Sequence, residues 1–193
     1  MKKYFLTGGF GILLLLGNIA GVYGQEEAGY MGVAWNSSFP VIEQHFPGVS
    51  FVEEDGFRVT LFRLFLPEED VKRIEFKLFK NQLISVIRYY KGSIDSLLNE
   101  DAVRKLVTGL GTLKDVRKTK SHSLAGIADV VIYEYDQVLV LLRFYPPGQK
   151  EGFAAKENSM VIIFKPTFDD MVYYRKHSEG DMEEIEDYDY IDF

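Results

Sequence analysis

Apolar and polar positions alternate most clearly over residues 71–90, VKRIEFKLFKNQLISVIRYY. A period of two residues predicts paired antiparallel strands, because successive side chains point to opposite faces. The two-residue turn falls at Lys80 and Asn81, and Asn tolerates the positive φ that tight hairpin turns require. Counting outward from that turn pairs Leu78 with Leu83, Phe76 with Ser85 and Ile74 with Ile87. Ile74, Phe76, Leu78, Leu83, Ile87 and Tyr89 then share an apolar face. Arg73, Glu75, Lys77 and Arg88 share the other with Ile84 and Val86, the mixture expected of a partly wetted side.

A second hairpin follows at residues 130–145, VVIYEYDQVLVLLRFY, and aligns without a gap on residues 75–90. Asp136-Gln137 meets Asn81-Gln82, and Arg143-Phe144-Tyr145 meets Arg88-Tyr89-Tyr90. The match predicts an internal repeat. The outer face of this hairpin carries Val130, Ile132, Leu139 and Leu141 where the first carries charge. Both of its faces must therefore be covered, by a helix, by the other hairpin or by a partner.

Elsewhere the pattern predicts helices. In AWNSSFPVIEQHFPG, residues Asn36, Ser37 or Ser38 can cap a helix that has Pro40 in its first turn and Pro47-Gly48 at its end. Strands over residues 49–53 and 57–66, joined at Asp55-Gly56, complete a four-stranded meander with the first hairpin. Leu98, Ala102, Leu106 and Leu110 recur every four residues in a second helix over residues 93–109, stopped by Gly109 and Gly111. A strand over residues 113–119 and the loop SHSLAG lead to the second hairpin. Residues 160–164 form an apolar strand, and a last helix starts with Thr167 as N-cap and Asp170 completing a capping box. The fold class is thus α+β, two helix-plus-antiparallel-meander repeats with a C-terminal helix and an acidic tail.

Residues 1–24 read as a signal peptide: Lys2 and Lys3, an apolar run from Phe10 to Leu16, then Val22-Tyr23-Gly24 before cleavage. The expected layout is 1–24 signal peptide, 25–34 linker, 35–92 first α+β repeat, 93–178 second repeat with the C-terminal helix, and 179–193 tail. The apolar run falls short of the ~20 residues a membrane span needs, so no span is expected after cleavage. Export is expected, to the periplasm first, with secretion or the cell surface as alternatives.

Charge sharpens the picture. The 193 residues carry a formal charge of −7, and losing residues 1–24 removes Lys2 and Lys3 to leave −9. Residues 179–193 hold eight Asp and Glu and no Lys or Arg, so the body is near neutral and the acidity is a tail. Nucleic acid is not an expected partner, since phosphate binding needs clustered positive charge. There is no Cys, which removes disulfides, thiolate metal sites and a cysteine nucleophile.

The element AWNSSFPVIEQHFPG, followed by a meander and the turn FKNQL, resembles the pattern of small exported bacterial α+β repeat proteins. These include β-lactamase inhibitor protein and the small β-barrel-assembly lipoprotein of similar shape. The resemblance covers most of residues 35–165 as an order of elements. Asn36 follows Trp35 where the family pattern has Gly, the turn glycine is Asn81 and Asp136 here, and the lipidated Cys is missing. The resemblance implies a non-catalytic binding scaffold and carries over no catalytic residue.

Candidate chemistry is sparse. His45, His122 and His177 show no metal-ligand spacing. Ser121-His122-Ser123 are sequence neighbours, which triad members rarely are. The carboxylate groups Glu53-Glu54-Asp55, Glu68-Glu69-Asp70 and Asp169-Asp170 suit turns and a helix first turn. Asn36-Ser37-Ser38 matches a glycosylation sequon, but helix capping also explains it. Lys114, Arg117, Lys118 and Lys120 form a basic strip. The tail reads as a disordered, solubilising segment; alternatively, Tyr188, Tyr190 and Phe193 among its acids make it a docking segment steered by charge and anchored by aromatics.

The expected function is a non-enzymatic protein-interaction module of a bacterial cell envelope. Val130, Ile132, Leu139, Leu141, Tyr188, Tyr190 and Phe193 are its candidate contacts, with an envelope protein or a second copy as partner. No cofactor and no metal are expected. The alternatives are a binder of a lipid or small amphiphile in an aromatic-lined pocket, and a hydrolase.

Overall fold

The computed structural model describes residues 28–66, 70–91, 100–123, 126–145 and 157–178. The expected signal peptide and acidic tail lie outside them.

Eight antiparallel strands form one sheet. The chain enters through two short strands, β1 (Gly29–Tyr30) and β2 (Val33–Ala34), and a helix, α1 (Phe39–His45). Then come β3 (Ser50–Glu54), β4 (Val59–Phe65), β5 (Val71–Phe79) and β6 (Gln82–Tyr90). Helix α2 (Glu100–Leu106) and the short β7 (Val107–Thr108) lead to β8 (Leu113–Ser123), β9 (Gly126–Tyr135), β10 (Val138–Phe144) and β11 (Ser159–Phe164), and α3 (Lys165–Ser178) closes the described chain. The large sheet runs β3-β4-β5-β6-β11-β10-β9-β8, and β2-β1-β7 form a small second sheet. Each meander of four strands is preceded by a helix, and the two meanders join through their last strands, β6 and β11.

The first hairpin turns where the alternation placed it. Lys80 and Asn81 both have positive φ, 50° and 62°, and Leu78 pairs with Leu83. The pairing beyond is not as counted. Lys77 pairs with Ser85, Phe76 with Val86 and Glu75 with Ile87, because a bulge leaves Ile84 unpaired. One extra residue turns the rest of a strand over. Val86 and Tyr90 therefore join Ile74, Phe76, Leu78 and Leu83 on the first face, while Ile87 and Tyr89 lie on the second.

The second hairpin pairs without a bulge, Ile132 to Leu141 and Val131 to Leu142. It supplies the second and third strands of its meander, whereas the first hairpin supplies the third and fourth. The gap-free sequence alignment thus joins strands in non-equivalent places.

The sheet lies between two layers. The first face packs under α1, α2 and the small sheet. Phe39 stacks on Phe62 at 4.0 Å, Phe46 meets Phe76 at 5.0 Å, and Trp35 stacks on Phe164 at 5.7 Å. Residues 28–34 were expected to belong to a linker. Instead they form β1 and β2 and bury Tyr30 and Val33 completely. The second face packs under α3, which lies along β5, β6 and β11. Thr167 stands inside α3 and is not its N-cap; its hydroxyl donates to the Asn36 side chain at 2.5 Å. That bond occupies the sequon asparagine, and Asn81 accepts the Phe39 N–H at 3.3 Å beside it.

Candidate functional site

The four outer-face residues of the second hairpin fall on the second face of the sheet, in the interior. Val130 is 1% exposed, Ile132 7%, Leu139 4% and Leu141 0%. They form one cluster with Ile84 and Ile87 of β6, Val161 and Ile163 of β11, and Phe168 and Met171 of α3. An element of the same chain therefore shares the cover of this face. Tyr188, Tyr190 and Phe193 lie outside the described residues.

The other half of the second face carries charge in rows. Glu75, nearly buried, accepts from Arg63 Nε at 2.8 Å, Arg73 Nε at 3.1 Å and the Tyr89 hydroxyl at 3.1 Å. The Arg73 guanidinium lies 3.6 Å from the centre of the Tyr89 ring. Glu157, at the entry to β11, is paired with Lys72 and Arg73. Burial works against its charge, but those hydrogen bonds outweigh the burial and hold its carboxyl below the ordinary value. Burial, with help from Glu75, pushes the Tyr89 hydroxyl up to about 12. Lys77 is pushed down to about 8 by burial, with Arg143 and Arg175 adding to the shift and Glu75 and Asp55 opposing it. At the end of α3, Arg175 pairs with Asp55 and lies 4.9 Å from the Phe57 ring. This arrangement anchors β4, β5, β6 and the β11 entry to one another. Paired carboxylates are saturated by arginine and lysine, a structural use of charge.

The histidines are held apart. His45 Nδ1 contacts the Val41 carbonyl at 2.9 Å and His177 Nδ1 the Tyr173 carbonyl at 2.8 Å, each within its own helix. The His122 backbone lies in β8, and its side chain is outside the described set. Asp55 Oδ1 accepts the Phe57 and Val59 N–H groups at 2.9 Å each, which holds the β3–β4 turn. Among the described residues no three His, Asp or Glu side chains come together in a way that could hold a metal ion.

The open surface is at the sheet edges. β3 is a short, bulged edge that exposes Phe51. β8 is the opposite edge, eleven residues long, and among the described strands it pairs only with β9. It extends beyond the expected residues 113–119 and takes in the Ser121-His122-Ser123 backbone. All four members of the basic strip stand on it. Val116, Lys118 and Lys120 alternate onto one side and Arg117 onto the other, while a bulge between Leu113 and Asp115 takes Lys114 out of that alternation. Val116 is 47% exposed, and Ile127 on the neighbouring strand is 42% exposed.

The ion pairs of this edge are external. Lys114 meets Asp136 at 3.1 Å, Arg117 meets Asp115 and Glu134 at 3.1 Å each, and Lys120 meets Asp129 at 3.9 Å. Gly111, at φ 75°, and the Thr112 N–H, donating to Asp136 Oδ2 at 2.9 Å, set the point where β8 begins. The sequence marked the basic strip as charge. It carried no sign that the strip is the border of a sheet, because strand order is a property of long-range pairing.

Comparison with protein-family models, with curated proteins and with solved structures finds no match to this chain.

Proposed function

We propose that this chain is an exported, non-enzymatic protein-interaction module that takes an extended acidic segment of a partner protein as a ninth strand along β8. The observation that carries the reading is β8 itself: a long basic edge with one backbone row paired to β9 and the other unpaired among the described strands. Strand addition draws affinity from main-chain hydrogen bonds and specificity from alternate side chains. Here the alternate side chains on one face are Val116, Lys118 and Lys120, with Lys114 at the bulge just before them, which select for acids beside an apolar residue. The existing ion pairs of Lys114 and Lys120 are exposed, so a partner's carboxylates displace them at little cost.

The same charges disfavour pairing of β8 with β8 of a second copy, because like charges would stand opposite one another. The tandem reading supports the scaffold role: each helix and its meander form one unit, β3–β6 corresponding to β8–β11. The amphiphile alternative would use the second face, where Val130, Ile132, Leu139 and Leu141 are already buried. The edge is the better-supported surface.

The test uses an eight-residue peptide of alternating Asp and Val, with an alternating Lys and Val peptide as its counterpart. Hydrogen exchange is followed by mass spectrometry. Protection should grow over residues 113–123 with the Asp peptide alone, and should vanish in K114E/K118E/K120E. Equal protection by both peptides, or none by either, would sink the reading.

A further inference from the structure

We propose that residues 179–193 of this chain are themselves the strand that β8 holds in the resting protein, so that a partner binds by displacing them. The proposal rests on the β8 reading and adds its regulation.

Charge is the first support. The segment EGDMEEIEDYDYIDF has eight carboxylates and no cation, while β8 carries Lys114, Arg117, Lys118 and Lys120 against one acid, Asp115. Its last seven residues, DYDYIDF, interleave acids with Tyr, Ile and Phe, residues that suit a pleated, half-buried surface.

Position is the second support. Helix α3 ends at Ser178 beside the β5–β6 turn, where Tyr174 packs on Phe79 at 5.5 Å and Lys80 lies 4.4 Å from the Tyr174 ring centre. In the antiparallel order β5-β6-β11-β10-β9-β8, that turn, the β9–β10 turn and the start of β8 all lie at one end of the sheet. Five strand steps separate β5 from β8 and a sixth reaches a strand added beyond it, about 29 Å at ~4.8 Å per step. Residues 179–187 reach about 30 Å when extended at ~3.3 Å each. Residues 188–193 then remain to pair along β8. A tethered segment acts at an effective concentration of order millimolar, enough to occupy an edge that binds it weakly.

The test compares the full chain with a full-length variant, D187N/D189N/D192N, in the same hydrogen-exchange assay. Without peptide, the wild-type amides over residues 113–123 should exchange more slowly than those of the variant by about fivefold or more, the effect of losing about three exposed charge pairs. Amides of β6 and β11 should not differ, which controls for folding. The Asp-Val peptide should bind the variant about tenfold more tightly than the wild type, because it no longer competes with the tethered segment. If the peptide protects β8 equally in both chains, the β8 reading stands and self-occupancy falls. If it protects β8 in neither, both fall.

Discussion

Replacing Lys77 with Met should stabilise the protein at neutral pH. Lys77 stands on β5, paired with Leu61 of β4 and Ser85 of β6, in the interior of the sheet and on its second face. Burial is the main reason its ammonium is held down, from an ordinary 10.5 to about 8; Arg143 and Arg175 add repulsion, and Glu75 and Asp55 only partly offset it. At 1.36 kcal/mol per unit of pKa, the shift sets an upper bound of about 3 kcal/mol on the cost of keeping Lys77 charged when folded. The stem can lean its ammonium toward water, so about 1–2 kcal/mol is the expected gain. The direction with pH follows from proton binding. Between about pH 8 and 10.5 the unfolded chain holds this proton and the folded chain has lost it, so wild-type stability rises with pH across that window. Below pH 8 the full penalty applies. Urea unfolding of wild type and Lys77→Met at pH 7, 9 and 10.5 reads the difference directly, and other titrating groups cancel between the two chains. The Met chain should lead at pH 7, and the gap should close by pH 10.5. A Met chain that is no more stable at pH 7, or a gap that is constant with pH, would refute the reasoning.

Leu141→Ala should cost about 2–5 kcal/mol in urea unfolding, as for a fully buried leucine whose site cannot collapse; a loss under 1 kcal/mol would place that face outside the core. Glu157→Gln should lose about 1–2 kcal/mol at pH 7, where the charged hydrogen bonds from Lys72 and Arg73 are made. Because the folded carboxyl lies below its ordinary value, the advantage of Glu157 is complete above the unfolded carboxyl's range and disappears as pH falls through the folded one. A wild-type advantage that persists undiminished at pH 3 would contradict this.

What the amino-acid sequence determined by itself was local. Alternation over residues 71–90 and 130–145 marked strands because a pleated strand must send successive side chains to opposite faces. Asn81 marked a turn because it accepts positive φ with little strain, and its φ is positive. Gly109 and Gly111 also have positive φ, but the helix expected over residues 93–109 does not run up to them: α2 ends at Leu106 and β7 takes Val107 and Thr108. The helix–strand order of an α+β chain was legible on the same grounds. Tertiary structure decided the rest. The Ile84 bulge moved Val86 to one face and Ile87 to the other, and a bulge has no period to betray it. Residues 28–34 looked like a linker because two-residue strands are too short to alternate, and only their pairing with β7 brings Tyr30 into the core. Val130, Ile132, Leu139 and Leu141 were visibly apolar on a second face, but that Phe168 and Met171 would help to cover them depended on where α3 folded back. The basic strip of β8 was readable as charge. Its place at the open border of the sheet came from β6 pairing with β11, a contact between distant parts of the chain that no local pattern encodes.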